Sequence, residues 1–554
     1  MSGTTDVLTV EHLTVTFDVD GEVVRAVDDA SFTVARGEVV AVVGESGSGK
    51  SMTAMTAMGI APDGARASGS IRLGDLEVIG TDERTLRSVR GRSVSMIFQD
   101  PSAALNPVFT IGFQLAEAVR RTDGQRDRSA VRERSLELLR AVEVPEPERR
   151  LGQYPHELSG GQAQRVMIAM ALACEPHVII ADEPTTALDV IVQRQVLQVL
   201  QRLVAERGIT LLMISHDLSV LAEVCERLAI MKDGEIVEIG DSAEVCRNPT
   251  EEYTRELAEA FPTIGDRGSR LRPVTRKPAR IAGAADGTEF GMTDEVVLEA
   301  RNLSVSFSAR GRHVGAVRDV DLALHRGEIL AVVGQSGCGK TTLARSLLGL
   351  QEPDPGSEIR FRGAPLGRRP AELRAFRREV QMILQDPSGS LNPKLSVYES
   401  VAEGLRVQRF DGDERARVLE ALANTEMTPA EDYLESIPQE LSGGQRQRVV
   451  IAGALALEPE VLIADEPVAS LDASVRGEIL SLILELRRKL GLTALVITHD
   501  LGLAWNIADT VAVMYEGRIV EHGPVEQVLL DPQHEYTRTL LAAVPSFRLD
   551  RVSG

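Results

Sequence analysis

Apolar positions along this chain come in two kinds of run, and each kind occurs twice. Residues 7–17 and 296–307 alternate apolar with polar side chains, the period of a strand with one covered face, and 31–34 and 320–324 follow in the same manner. Next come two unbroken runs, Val39-Val40-Ala41-Val42-Val43 and Ile329-Leu330-Ala331-Val332-Val333. Continuity of this sort predicts a strand buried on both faces, as in a parallel sheet. Apolar runs at 178–181 with 211–215, and at 461–464 with 494–498, predict further strands. Between them the period lengthens to that of a helix around 131–142 and 159–173, and helical stretches begin at Ser51 and Thr341 behind a glycine-rich turn. Strands interleaved with helices predict an α/β fold.

The duplication continues to the end of each half. Pro249-Thr250-Glu251-Glu252-Tyr253-Thr254-Arg255 is echoed by Pro532-Gln533-His534-Glu535-Tyr536-Thr537-Arg538. From Phe261 to Glu295 the sequence is rich in Pro, Gly, Arg and small residues with no period, which predicts a linker with little structure. The expected organisation is a first domain at 1–262, a linker at 263–293 and a second domain at 294–554.

Composition narrows the function. With 43% hydrophobic and 26% charged residues, each half can bury a sizeable core. A net charge of −21 argues against a general nucleic-acid binder or an electrostatic membrane adsorber. No window approaches the roughly 18 uncharged apolar residues of a membrane helix. The first 13 residues carry Asp6 and Glu11 and hold no apolar secretory core, so a cytoplasmic chain is expected. Four cysteines (Cys174, Cys225, Cys246, Cys338) show no C-x-x-C pairing, which disfavours a disulfide framework or a zinc site. Of 61 basic residues only six are lysine, yet two of these six, Lys50 and Lys340, follow the glycine-rich turns. A compact ammonium is evidently needed where a planar guanidinium does not fit.

Those turns carry the chemistry. Gly44-Glu45-Ser46-Gly47-Ser48-Gly49-Lys50-Ser51 and Gly334-Gln335-Ser336-Gly337-Cys338-Gly339-Lys340-Thr341 both fit G-x-x-x-x-G-K-[ST], the loop that wraps backbone N–H groups around phosphates. Lys50 and Lys340 would neutralise phosphate charge, and the hydroxyls of Ser51 and Thr341 would ligate Mg²⁺. Asp182 and Asp465 end apolar strands and so project from the carboxyl edge of a sheet, where ligands bind in open α/β folds. A carboxylate there holds Mg²⁺, while the neighbouring Glu183 or Glu466 polarises the attacking water. His216 and His499 follow strands in Ser215-His216-Asp217 and Thr498-His499-Asp500, placed to contact the γ-phosphate and orient that water.

Leu158-Ser159-Gly160-Gly161-Gln162 and Leu441-Ser442-Gly443-Gly444-Gln445 lie some twenty residues before the Asp-Glu pairs. With them the chain resembles two fused ATP-binding subunits of an ABC transporter, over nearly all its length except the linker. The resemblance implies two P-loop NTPase ABC nucleotide-binding domains in tandem, each a RecA-like core with antiparallel β and helical subdomains, and an ATPase activity. It implies that Gln99 and Gln385 are Q-loop glutamines and join Ser51, Asp182, Thr341 and Asp465 around Mg²⁺. Asp189 and Asp472 match the D-loop. It also implies a head-to-tail sandwich of the two domains. There Ser159, Gly161 and Gln162 face the ATP held by Gly334, Ser336, Gly337, Gly339 and Lys340, while Ser442, Gly444 and Gln445 face that held by Gly44, Ser46, Gly47, Gly49 and Lys50. Phe17 and Phe307, each 27 residues before the first loop glycine, stack on adenine or fill the strand core; the sequence leaves both roles open.

A longer phrase after each glutamine, Asp100-Pro101-Ser102-Ala103-Ala104-Leu105-Asn106-Pro107 and Asp386-Pro387-Ser388-Gly389-Ser390-Leu391-Asn392-Pro393, is similar to the oligopeptide, dipeptide and nickel importer branch, as are the two Tyr-Thr-Arg segments. That branch implies import of peptides, or of nickel, glutathione or a peptide antibiotic. It further implies two transmembrane permease subunits and an extracytoplasmic binding protein as partners, and a place on the cytoplasmic face of the membrane. Many relatives carry a cysteine cluster for an iron–sulfur centre after the Tyr-Thr-Arg segment; none follows Cys338 here, so no cluster is expected. The second D-loop, Val468-Ala469-Ser470-Leu471-Asp472, swaps alanine and serine relative to the usual order but keeps its aspartate, so hydrolysis is expected at both sites. Soluble tandem ABC proteins acting on ribosomes or DNA need a long charged helical linker or zinc-spaced cysteines, and this chain has neither. In a fused sugar-importer ATPase one site is commonly degenerate, and here both sets are intact. An exporter is disfavoured by the importer phrases.

Overall fold

The computed structural model describes residues 6–19, 21–123, 127–186, 188–259, 264, 291–309, 312–469, 471 and 473–544. The chain divides into two compact units, whose described residues run to 259 in the first and from 264 to 544 in the second. Most of the linker expected at 263–293, and Asp472, lie outside the described residues.

Each unit is built from two sheets. In the first unit β1 (Asp6–Val19) and β2 (Glu22–Ala35) form a long antiparallel ribbon. With β4 (Arg66–Leu73) and β5 (Leu76–Glu77) it makes a four-stranded sheet of order β2-β1-β4-β5. The second sheet holds β3 (Val39–Val43), β6 (Val94–Ile97), β7 (Val178–Asp182), β8 (Thr210–Ser215), β9 (Arg227–Lys232) and β10 (Glu235–Asp241), in the order β10-β9-β3-β8-β7-β6. It is parallel from β9 to β6, with β10 added antiparallel at the edge. The unbroken run at 39–43 is the central strand, and every one of its residues is buried.

The core lies between the two sheets. Leu8, Val10, Val15 and Ile71 from the ribbon sheet meet Val40, Val42, Ile180 and Ile214 from the parallel sheet, with Ala54 and Ala57 of the helix Lys50–Ala57 between them. Alternation in β1 gives one covered and one wet face, and continuity in β3, β7 and β8 matches strands covered on both sides.

The second unit repeats this plan. Its ribbon sheet is β11 (Val296–Ala309), β12 (Arg312–His325), β14 (Glu358–Phe361) and β15 (Ala364–Pro365). Its main sheet is β13 (Ile329–Val333), β16 (Val380–Ile383), β17 (Val461–Asp465), β18 (Thr493–Thr498), β19 (Thr510–Tyr515) and β20 (Arg518–Pro524), in the order β16-β17-β18-β13-β19-β20. A separate helical core joins Val401 and Leu405 of Val397–Val407, Val418 and Leu422 of Glu414–Asn424, and Val449 and Ala452 of Gly443–Leu455. Among the described residues no helix is long and apolar enough to cross a membrane.

Candidate nucleotide sites

In the first unit the phosphate loop, Gln99, Asp182, Glu183 and His216 lie at the carboxyl ends of four neighbouring strands. The phosphate loop follows β3, His216 follows β8, Asp182 and Glu183 end and follow β7, and Gln99 lies two residues past β6. Because β3, β8, β7 and β6 are adjacent in the sheet, segments up to 172 residues apart in sequence meet along one edge. In the second unit β13, β18, β17 and β16 do the same for the loop, His499, Asp465 with Glu466, and Gln385.

The loop lysine is buried and folded back onto its own loop. Lys50 Nζ donates to the carbonyls of Gly44 (2.8 Å) and Glu45 (2.7 Å) and to Ser48 Oγ (3.3 Å). Lys340 Nζ donates to Gly334 (2.7 Å) and Gln335 (2.9 Å). The glycine before each lysine adopts φ +100° or +112°, and a Cβ on Gly49 would stand 2.3 Å from the Ala26 carbonyl oxygen, so only glycine turns this corner. Ser46, Gly47, Ser336 and Gly337 form the exposed crests of the loops.

Behind the loop sits a carboxylate pair whose members differ. Ser51 Oγ donates to Asp182 Oδ1 at 3.0 Å. Burial pushes the Asp182 carboxyl above the usual range, the Ser51 bond opposes this, and the Glu183 charge adds to it. For Glu183 burial also pushes upward, but the His216 bond, the Thr186 bond and the Lys50 charge outweigh it, and its carboxyl is held below the ordinary value. Gln99 Nε2 donates to Glu183 Oε2 (2.7 Å), Thr186 Oγ1 donates to the same oxygen (2.8 Å), and His216 Nδ1 lies 3.1 Å from Oε1. Against an ionised carboxylate that ring nitrogen carries a proton and donates. Glu183 itself has φ 44°, a left-handed conformation that a glutamate seldom adopts, while its N–H still bonds to Ile214 O at 2.8 Å. The strand register is kept and the side chain is swung out of it.

The second unit reproduces this with one loss. Gln385 Nε2 donates to Glu466 Oε2 at 2.9 Å, His499 Nδ1 stands 3.1 Å from Oε1, and Glu466 has φ 49°. Burial pushes Asp465 up; Glu466 is held low against its own burial by the His499 bond and the Lys340 charge. Burial would lower the His499 pKa, but the bond to Glu466 and its charge raise it overall. At the position of Thr186 stands Ala469, which has no hydroxyl to give Glu466. A cavity of about 40 Å³ borders Ala469, Glu466 and His499.

The Leu-Ser-Gly-Gly-Gln segments each open a helix. Ser159 Oγ accepts from Gln162 N (3.4 Å) and Gln162 Oε1 accepts from Ser159 N (3.2 Å); Ser442 and Gln445 do likewise at 3.2 and 2.8 Å. These are capping boxes, which explains a serine and a glutamine three residues apart. The resemblance implies that these residues face ATP; within each unit the serine and glutamine side chains also close their own helix. Gly161 allows a close approach, since a Cβ there would meet Val192 Cγ1 at 2.3 Å, and Gly444 meets Val475 in the same way. Asp189 caps the following helix, its Oδ1 accepting from Val192 N at 3.1 Å. Phe17 is half-buried and packs against the core, whereas Phe307 is 42% exposed, so the matched pair is unlike in setting.

Two features escaped the sequence reading. The Thr186 hydroxyl is one, and nothing in its neighbourhood set it apart. The other is a tyrosine on each phosphate loop, which the repeated Tyr-Thr-Arg segments could have suggested.

The profile described as "ABC transporter" matches residues 27–186 and 317–469. This chain belongs to the ABC transporter family. It is a tandem ATP-binding subunit of that family and an ATPase. A second profile, "Oligopeptide/dipeptide transporter, C-terminal region", matches 237–292 and 520–552 and sets this ABC protein in that branch. The "Glutathione import ATP-binding protein GsiA" of Pectobacterium atrosepticum is 42% identical over 97% of this chain and 89% of its own length. The protein of the same name from Escherichia coli (strain K12) is 43% identical over 98% and 90%. A solved "bacterial ABC transporter cassette", in dimeric form, is 30% identical over 42% of this chain and 98% of its own, with a TM-score of 0.39.

Proposed function

We propose that this ABC ATPase powers the import of glutathione or a similarly small peptide, working on the cytoplasmic side of a membrane beneath two permease subunits fed by a binding protein. The observation that carries the reading is that full-length relatives over 40% identical bear the name of a glutathione import subunit. The double, undegraded set of site residues supports an engine with two working strokes.

In this reading each phosphate loop grips ATP, and each loop works with the signature segment of the other cassette in the ATP-bound state. The donors beside the loop suit Mg²⁺: a hydroxyl (Ser51, Thr341), a carboxylate (Asp182, Asp465) and an amide oxygen (Gln99, Gln385) are the hard oxygens that this ion prefers. Mg²⁺ would supply charge neutralisation on the β- and γ-phosphates. Glu183 and Glu466, held ionised, accept a proton from the attacking water, while His216 and His499 present Nε2 toward the terminal phosphate. Phe307, the more exposed of the aromatic pair, offers a face to adenine.

The two sites differ in the setting of their base. Thr186→Ala removes a donor that holds the Glu183 carboxyl low, so its pKa rises and the acid limb of the kcat profile moves to higher pH. Ala469→Thr supplies the missing donor and moves the limb the other way. Superimposable pH profiles of phosphate release for both variants and the parent would contradict this account.

The cargo reading has its own test. Removing the chain from its host should abolish uptake of labelled glutathione, and the purified chain should show no heat of binding with glutathione or dipeptides. Uptake lost for dipeptides but intact for glutathione moves the cargo to the peptide alternative. Calorimetric affinity of the chain itself for either compound overturns the view that specificity resides on other subunits.

A further inference from the structure

The Tyr-Thr-Arg segments mark the branch by sequence, and the structure shows what they touch. In the first unit the hydroxyl of Tyr253 accepts a hydrogen bond from the N–H of Glu45 at 3.1 Å; in the second, Tyr536 accepts from Gln335 at 3.0 Å. Glu45 and Gln335 are the second residues of the two phosphate loops. The tyrosines lie 208 and 201 residues away in sequence, and both are only 8% exposed.

One peptide group links this contact to the lysine. The N–H of Glu45 and the C=O of Gly44 belong to the same planar amide and point in opposite directions. Tyr253 holds its N–H edge, and Lys50 Nζ sits on its carbonyl edge at 2.8 Å. In the second unit Tyr536 holds the Gln335 N–H and Lys340 sits on the Gly334 carbonyl at 2.7 Å. Fixing one edge of a plane fixes the other. The tyrosine therefore sets the carbonyl that positions the phosphate-binding ammonium.

The segment around each tyrosine is itself anchored. Glu238 on β10 accepts from Thr250 N (2.9 Å), Thr250 Oγ1 (2.8 Å) and Glu251 N (3.3 Å). Glu521 on β20 accepts from Gln533 N (2.8 Å) and His534 N (3.1 Å). The arginine of the motif folds back onto the proline that starts it, with Arg255 Nη2 donating to Pro249 O at 3.2 Å and Arg538 Nε to Pro532 O at 3.1 Å. The ring is braced by different means in the two units: Lys232 Nζ lies 4.6 Å above the Tyr253 ring, while Tyr515 packs at 4.2 Å against Tyr536. Different braces converge on the same hydroxyl contact. The proline, tyrosine and arginine of the motif each have a defined job, and the tyrosine's is at the nucleotide loop.

We propose that Tyr253 and Tyr536 are positioning residues for ATP binding, through which the C-terminal segment of each cassette holds its phosphate loop in the shape that receives the phosphates. This rests on the reading of the loops as ATP sites.

The test compares the full chain with its Tyr253→Phe, Tyr536→Phe double variant, which keeps both rings and removes two oxygens. Titration with Mg²⁺ and a non-hydrolysable ATP analogue should show affinity weakened about fivefold or more, the scale of a lost hydrogen bond to a buried N–H. The amides of Glu45 and Gln335 should exchange faster with solvent, while the melting temperature without nucleotide drops by no more than about the few degrees that the lost hydrogen bonds themselves cost. Unchanged analogue affinity with unchanged amide exchange overturns the proposal. So does a nucleotide-free melting temperature that falls well beyond this, because that marks a general packing role. If the parent chain binds no analogue, the ATP-site reading fails instead, and amide exchange alone decides on the tyrosines.

Discussion

Replacing Glu183 and Glu466 together by glutamine should abolish steady-state phosphate release while ATP stays bound. The amide keeps the size of the carboxylate; its one oxygen can still accept from Gln99, while its NH2 can donate to His216 Nδ1 in the other ring tautomer, so the local fold is retained. What disappears is the capacity to take a proton, and loss of a positioned general base costs about 10²–10⁴-fold in rate. In the parent chain both carboxyls are held low despite burial, which keeps them ionised and ready. Phosphate release assayed beside retained radiolabelled ATP separates the two halves of the claim. Turnover at more than a tenth of the parent rate would remove the glutamates from the role of base.

Arginine at both loop lysines should cost nearly as much, by another route. Lys50→Arg with Lys340→Arg keeps every charge, yet nucleotide affinity should fall on the order of a hundredfold, from a buried cation that loses its partners at about 3 kcal/mol. Lys50 Nζ sits between the Gly44 and Glu45 carbonyls at 2.8 and 2.7 Å and is 5% exposed, and a planar guanidinium presents its donors too far apart to fill that seat. Fluorescent nucleotide titration reads the affinity directly. If the double variant binds ATP as tightly as the parent, net charge alone matters and the geometry of the seat does not.

Much of this was legible in the sequence because it was written twice. The runs at 39–43 and 329–333 gave the central strands residue for residue, since full burial leaves no polar interruption to blur their ends. The helices read around 131–142 and 159–173 stand at Arg128–Ala141 and Gly160–Leu172. Strands β2 and β12 were read too short, at 31–34 and 320–324, because their outer ends project beyond the core. Val23 and Val24 there are 68% and 49% exposed, so no alternation marks them. Strands β6 and β16 were not read at all; each is only four residues long and carries too little pattern, yet they place Gln99 and Gln385.

At the sites, residue identities were legible and their conformations were not. Asp182 and Glu183 were identified, but the left-handed backbone that separates their roles depends on a bond from Glu183 N to a neighbouring strand. The Thr186 hydroxyl and its absence at Ala469 acquire meaning only once Glu183 and Glu466 are in place. Ser159 and Gln162 show the converse. A motif read as facing ATP is also a helix cap, and the cap uses the acceptor capacity of Ser159 Oγ and Gln162 Oε1, leaving the O–H and the Nε2 hydrogens for an anion.

Capping does not exhaust the signature serine. A hydroxyl offers one hydrogen and two lone pairs, and the helix start uses only a lone pair of Ser159 or Ser442. The O–H can therefore turn toward an anion while the oxygen still holds the amide three residues on. Alanine at either position removes both capacities at once, and the cap alone is worth about 1 kcal/mol. Each signature helix can meet an incoming phosphate with its first turn already fastened.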